Sequence, residues 1–296
     1  MRLFALIMAV LGCWISPALA QTLPTSGPAA VGERPPVTRI KPSKIILVGD
    51  STVQQMSGWG GAFCSKHVTS FLACVNLARG GRSTYNYRAE GSWDLALAEM
   101  KTPGYEHVWV LIQFGHNDQP GKPGRSTDLA TEFPENLRQY IRDVRAAGAI
   151  PVLVTPLTRR SFKEGQLQRD LDPWGDAIRA VGKEMGVPVV DLLARSEAAV
   201  QGMGPSLANR FAQVPPSREV AASALTGTTI GNPPPPAVAP GAPTPTAPIA
   251  AIEPMGDPKW SFDYTHLGHD GADFFSAMVA AELAVKVPGI RRFLLP

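Results

Sequence analysis

The sequence predicts a three-layer α/β/α domain built on a parallel sheet. Three observations carry this: five short apolar runs lack in/out alternation, helix-like segments separate them, and Gly-rich polar residues follow their carboxyl ends. Apolar runs buried on both faces are what a covered parallel sheet requires. Strands alternating with helices pack through right-handed crossovers.

The first strand is expected at 44–48, where Ile45, Ile46, Leu47 and Val48 run into Gly49. Others follow at 71–75, 108–114, 150–154 and 187–192. Helices are expected at 59–69, 93–100, 134–147, 174–185 and 272–287. The third places Leu137, Tyr140, Ile141 and Val144 at helical spacing, and the last presents Phe274, Phe275, Met278, Val279 and Leu283 on one broad face.

The flanking segments differ in composition. Residues 1–20 read as an export signal: Arg2, an apolar run over 4–15, and Ala18-Leu19-Ala20 as a small-x-small cleavage pattern, with cleavage after Ala20. The run is shorter than the ~20 apolar residues of a membrane helix. A lipoprotein-type site at Val10-Leu11-Gly12-Cys13 fits less well, so a secreted or periplasmic protein is expected. Residues 21–43, rich in Pro, Gly, Thr and Ser, form a flexible leader, and 44–296 form one domain. A Pro-rich stretch at about 215–257 shows no hydrophobic period. It is expected to be a polyproline-like or disordered surface insertion.

The charge balance is uninformative about partners. The 28 Lys and Arg against 25 Asp and Glu give +3, and removal of 1–20 takes away only Arg2. Without a basic cluster, a nucleic-acid face is excluded. Cys64 and Cys74 remain in the exported chain. They form a disulfide if their Cα atoms lie within about 7 Å, and otherwise are two buried thiols.

Ligands of open α/β sheets sit at the carboxyl ends of the strands. There the chain has Gly49-Asp50-Ser51-Thr52, Gly80-Gly81-Arg82-Ser83, Gly115-His116-Asn117-Asp118 and Thr155 to Arg160, with Asp263-Tyr264-Thr265-His266 near the end. A serine hydroxyl needs a base to become a nucleophile, and imidazole, titrating near neutrality, suits that role for Ser51 and His266. Asp263 is spaced to fix the tautomer of His266. The N–H groups of Ser51 and Gly81 and the amide of Asn117 are candidate donors to a tetrahedral oxyanion.

These blocks resemble those of the SGNH (GDSL-type) hydrolases. The strings Gly-Asp-Ser-Thr-Val-Gln, Gly-Trp-Gly, Gly-Gly-Arg-Ser, Phe-Gly-His-Asn-Asp-Gln and Tyr-Thr-His-Leu are similar more particularly to rhamnogalacturonan and pectin acetylesterases. The resemblance implies a flavodoxin-like sheet of five parallel strands and a serine esterase that uses no metal or other cofactor. It also implies Ser51, Asp263 and His266 as the triad, with Ser51, Gly81 and Asn117 as the oxyanion hole. The expected partner is an acetylated pectic polysaccharide or oligosaccharide. An acetylxylan or other short-acyl esterase, and a non-catalytic carbohydrate-binding protein of the same fold, are the competing readings.

Other residues have weaker claims. Arg82 and Arg159 are candidates to pair with a uronate carboxylate, as is the neighbouring Arg160, and Trp260 to stack on a sugar ring. Trp59 reads as core, Asp50 as orienting the serine turn and His116 as structural. A metal cluster of Asp263, His266, His269 and Asp270 is disfavoured, because Gly268 and Gly271 break the helix it would need.

Overall fold

The structure is a computed structural model that describes residues 36–231 and 260–295. The export signal, residues 21–35 of the leader and residues 232–259, which include most of the Pro-rich stretch, lie outside the described residues. Residues 36–40 have no regular structure, and the folded unit begins at Lys41.

Five parallel strands form the sheet, as the sequence predicts: β1 (Ser43–Gly49), β2 (Leu72–Asn76), β3 (Val108–Gln113), β4 (Ile150–Val154) and β7 (Val189–Val190). Their spatial order is β2-β1-β3-β4-β7. A short antiparallel hairpin of β5 (Phe162–Lys163) and β6 (Gln166–Leu167) lies between β4 and β7 in the chain. Register sets Gly49 opposite Gln113, so the carboxyl ends of the two central strands lie side by side.

Both faces of the sheet are covered, which explains the missing alternation. Ile45, Leu47, Trp109, Leu111, Val152 and Val154 pack with α1 (Gly60–Lys66), α6 (Leu192–Ala208) and α8 (His269–Lys286). Ile46, Val48, Val110, Ile112 and Leu153 pack with α3 (Ser92–Met100), α4 (Glu132–Ala146) and α5 (Asp172–Met185). A one-turn helix, α2 (Asn86–Ala89), precedes α3 and buries Tyr87 on this second face.

Two expectations need correction. The strand expected at 187–192 is only Val189–Val190, because Asp191 caps α6 by accepting from the Ala194 N–H. That helix escapes the periodicity because its buried stripe contains Ser196 and Glu197; Glu197 is paired with Arg169. The beginning of the Pro-rich stretch is also folded. Ser217 caps α7 (Arg218–Leu225), and its buried Val220 and Ala224 face inward. Val220 joins Ala212 and Phe262 in a small separate core, against which Val214 and Tyr264 pack. Only two apolar positions in α7 are buried, too few to stand out as a period.

Cys64 of α1 and Cys74 of β2 form a disulfide, with Cα atoms 5.4 Å apart. It closes a loop of sequence separation 10, which in the chain-entropy view stabilises the fold by about 3 kcal/mol. The double variant Cys64→Ala/Cys74→Ala is therefore expected to lose roughly 2–3 kcal/mol in urea denaturation. Reduction of the wild type should reproduce the loss, and leave the double variant unaffected.

Candidate active site

The turn after β1 carries Ser51 and is fixed by buried hydrogen bonds. Asp50, fully buried, accepts through Oδ1 from the Thr52 N–H (2.8 Å) and the Thr52 hydroxyl (2.8 Å). Gln113, closing β3, donates through Nε2 to Thr52 Oγ1 (2.6 Å) and accepts from the buried Trp59 indole (3.0 Å). The Ser57 hydroxyl donates to the Ser51 carbonyl (2.7 Å). Gly58 allows this fold-back: a Cβ there would lie 2.2 Å from the Thr52 carbonyl carbon. Burial alone would raise the Asp50 carboxyl, but His116 and the Thr52 donors outweigh it and hold the group below its ordinary value. His116 is buried with Nδ1 3.6 Å from Asp50 Oδ2, a charge contact without a hydrogen bond.

A second turn, just before α8, approaches from the far end of the chain. His266 Nε2 lies 2.8 Å from Ser51 Oγ, and His266 Nδ1 lies 2.7 Å from Asp263 Oδ2. Asp263 Oδ1 accepts from the N–H groups of Thr265 and His266, each at 2.7 Å. Burial would raise the Asp263 carboxyl, yet the hydrogen bonds and charge contact from His266, with the two N–H donors, hold it down to about 2. Asp263 is therefore ionised at neutral pH. The Leu267 N–H donates to the Ser57 carbonyl (2.8 Å), which ties this turn to the serine turn.

Arg160 organises the same turn from below. Its side chain is fully buried. Nη2 donates to the carbonyls of Asp263 (2.8 Å) and His266 (2.9 Å), and Nη1 to that of Thr265 (3.4 Å). Its backbone N–H donates to the Tyr264 carbonyl (2.8 Å). All four carbonyls of the turn thus face one arginine. Burial pushes the guanidinium down to about 10, with Asp263 opposing, so it stays charged at neutral pH. On the other side Phe262 and Tyr264 pack with Val220 of α7, and the Tyr264 hydroxyl donates to the Ile230 carbonyl (2.7 Å).

The candidate oxyanion donors come from two further loops. Among the described residues the N–H groups of Ser51 and Gly81 have no hydrogen-bond acceptor. Gly81 has φ +76°, and Gly80 lies so close that a Cβ on it would be 3.6 Å from Ser51 Cβ. Asn117 donates one amide proton to the Arg82 carbonyl (3.0 Å), which fixes its rotamer and leaves the second proton available. The adjacent Asp118 accepts from Thr84 N–H (3.0 Å), Thr84 Oγ1 (2.5 Å), Thr127 Oγ1 (3.1 Å) and Gly115 N–H (3.2 Å). Burial pushes Asp118 up to about 7 despite these donors.

The expected substrate contacts fare differently. Arg82 is buried and paired with Glu90, and also donates to the Gly80 carbonyl, so its charge is used inside the loop. This corrects its reading as a uronate ligand. Arg160 is likewise withdrawn to the interior. Arg159 pairs with Asp170 and donates to Gln119 Oε1 (2.8 Å). Trp260 is exposed, whereas Trp59 is core. His269 opens α8 as an exposed residue, apart from the His266–Ser51 contact. The anchors missed from sequence are Gln113, Thr84 and Arg160. Gln113 alone carried a signal, as a polar residue closing an otherwise apolar strand.

The parallel sheet and the blocks at its carboxyl edge are those of a known class of hydrolase. Residues 47–214, more than half of the chain, match the GDSL-like lipase/acylhydrolase family, and the chain belongs to that family. It is a carboxylic ester hydrolase. Among its relatives, a rhamnogalacturonan acetylesterase, RhgT, from Bacillus subtilis (strain 168) is 39% identical over 179 residues, 58% of this chain and 74% of the relative. A probable rhamnogalacturonan acetylesterase, YesY, from the same strain is 34% identical over 161 residues, 52% of this chain and 72% of the relative. The solved structure of the Bacillus subtilis protein YxiM superposes with a TM-score of 0.58 at 22% identity. The match covers 83% of this chain and 57% of that one, a likeness of fold.

Two outcomes follow for the His266 turn. The lowered Asp263 value means that its charge contributes stability present above the ordinary 3.8 and lost as pH falls toward 2. The stability difference between wild type and Asp263→Asn, measured by urea denaturation, is expected to shrink between pH 6 and pH 3. Arg160→Met, which strands carbonyls of the turn, is expected to lower the unfolding free energy by about 2–4 kcal/mol. The same variant should lose esterase activity.

Proposed function

We propose that the protein is an exported serine esterase that removes acetyl groups from a pectic polysaccharide of the rhamnogalacturonan type. The observation that carries the chemistry is the continuous line from Asp263 through His266 to Ser51, with contacts of 2.7 and 2.8 Å. The coarser reading, a carbohydrate acetylesterase, is supported by the family and by the names of the two relatives. The polymer is supported by those names and by the motif strings.

In this mechanism His266 Nε2 takes the Ser51 proton as Oγ attacks the acetyl carbonyl carbon. The carbonyl π electrons move to oxygen, and the oxyanion accepts from the N–H groups of Ser51 and Gly81 and from Asn117 Nδ2. The imidazolium, stabilised by ionised Asp263, then gives its proton to the departing sugar oxygen as the acetyl C–O bond breaks. Water repeats the sequence on the acetyl-enzyme: His266 takes its proton, hydroxide adds to the carbonyl, and Ser51 leaves reprotonated with acetate as product. These steps use side chains and backbone alone.

Ser51→Ala is expected to lower turnover of a chromogenic acetate by at least about 10⁴-fold and to abolish covalent labelling by a fluorophosphonate. Retention of near-full activity would overturn the mechanism. Binding of pectin fragments by a wild type that neither releases acetate nor takes the fluorophosphonate label would favour the binding-protein reading. Acetate release from acetylated rhamnogalacturonan is expected to exceed that from acetylated xylan, and the reverse order would make the protein a xylan esterase.

A further inference from the structure

The loop between Asp118 and α4 places Arg125 beside Gly81 and carries a second cation, Lys122, close enough to feel its charge. It is anchored rather than loose. The Arg125 and Ser126 N–H groups donate to the Lys122 carbonyl (3.0 and 2.9 Å), and the Ser126 hydroxyl to the Gln119 carbonyl (2.8 Å). The Thr127 hydroxyl holds the loop to Asp118 (3.1 Å). Arg125 Nη1 donates to the Gly81 carbonyl (3.4 Å) and lies 3.2 Å from where a Cβ on Gly81 would be. One residue earlier, Gly80 packs against Ser51. The guanidinium therefore stands at the edge of the proposed oxyanion hole.

The charges on this rim are not balanced. Among the described residues neither Lys122 nor Arg125 has an ion-pair partner. Of the two acids whose charge reaches Lys122, Asp170 is held by Arg159 and Asp50 is buried against Thr52 and His116. Lys122 is half-buried, and burial together with Arg159 and Arg125 holds its ammonium below the ordinary range, against the pull of Asp170 and Asp50. Like charges gathered on a partly desolvated surface repel one another. A bound anion relieves that repulsion, and a planar carboxylate matches the fork of a guanidinium.

We propose that Lys122 and Arg125 form a subsite for the carboxylate of a uronic acid next to the acetylated sugar. This subsite selects acetylated polyuronides over neutral acetylated glycans. The inference deepens the reading under Proposed function and rests on it. It moves the carboxylate contact from Arg82, whose charge Glu90 already uses, to the loop beside Gly81. Arg159, engaged with Asp170, contributes to the field of the rim and is not itself the ligand.

The test compares kcat/KM on an acetylated galacturonate-containing oligosaccharide, on the same compound after reduction of its carboxyl groups to alcohols, and on an acetylated xylooligosaccharide. For the wild type the charged compound is expected to exceed its reduced form by about 10-fold or more, with an advantage that falls as NaCl is raised. In Lys122→Gln/Arg125→Gln that ratio is expected to drop by about 10-fold through KM, while Arg125→Lys with Lys122 intact retains part of it. Fluorophosphonate labelling of Ser51 in each variant reports that the site is assembled. If the wild type prefers the charged compound and the double variant keeps the full ratio, the subsite lies elsewhere and the inference fails alone. If the wild type favours the xylooligosaccharide, the pectic reading fails and takes the subsite with it.

Discussion

The active-site geometry depends on how a buried arginine is satisfied. A guanidinium taken out of water costs several kcal/mol unless its donors find acceptors. The Nη groups of Arg160 find them in one place, the carbonyls of Asp263, Thr265 and His266. Its backbone N–H takes the carbonyl of Tyr264, and its buried Nε has no partner among the described residues. Once those carbonyls turn inward, the N–H groups of Thr265 and His266 point the opposite way and meet Asp263 Oδ1. That leaves Oδ2 for His266 Nδ1. The arginine thereby sets the path of the backbone, and the path of the backbone sets the carboxylate and the ring.

The serine side is organised by a different device. The parallel register sets Gly49 beside Gln113, so the end of β3 reaches the turn that follows β1. A chain of buried donors and acceptors from Trp59 through Gln113 and Thr52 to Asp50 then fixes Ser51 without touching its hydroxyl. Each half of the site has its own hydrogen-bond network. The Leu267–Ser57 backbone bond ties the two turns together.

Much of this was legible in sequence because it is local. Apolar runs without alternation reveal strands covered on both faces, and blocks at their carboxyl ends reveal which loops share an edge. The His266 turn was legible because its three-residue spacing lets one carboxylate reach both a ring and the intervening backbone. What stayed hidden depends on partners distant in the chain. Arg82 and Arg160 look like surface cations until Glu90 and the carbonyls of residues 263–266 are placed around them. The helix α6 was obscured because Glu197 sits in its buried stripe with its charge met by Arg169. Residues 217–231 read as spacer because composition was dominated by the prolines that flank them. In the fold they brace Phe262 and Tyr264, on either side of Asp263.

The Ser51 hydroxyl and the His266 ring are separated by 215 positions and meet only when the closing segment of the chain has docked. The serine turn follows the first strand, and the imidazole that faces its hydroxyl follows the last strand of the sheet. A chain that ends before Asp263 keeps the serine turn but lacks the base proposed for it. Under the proposed mechanism, esterase activity therefore reports that these two distant segments have docked, which secondary structure alone does not.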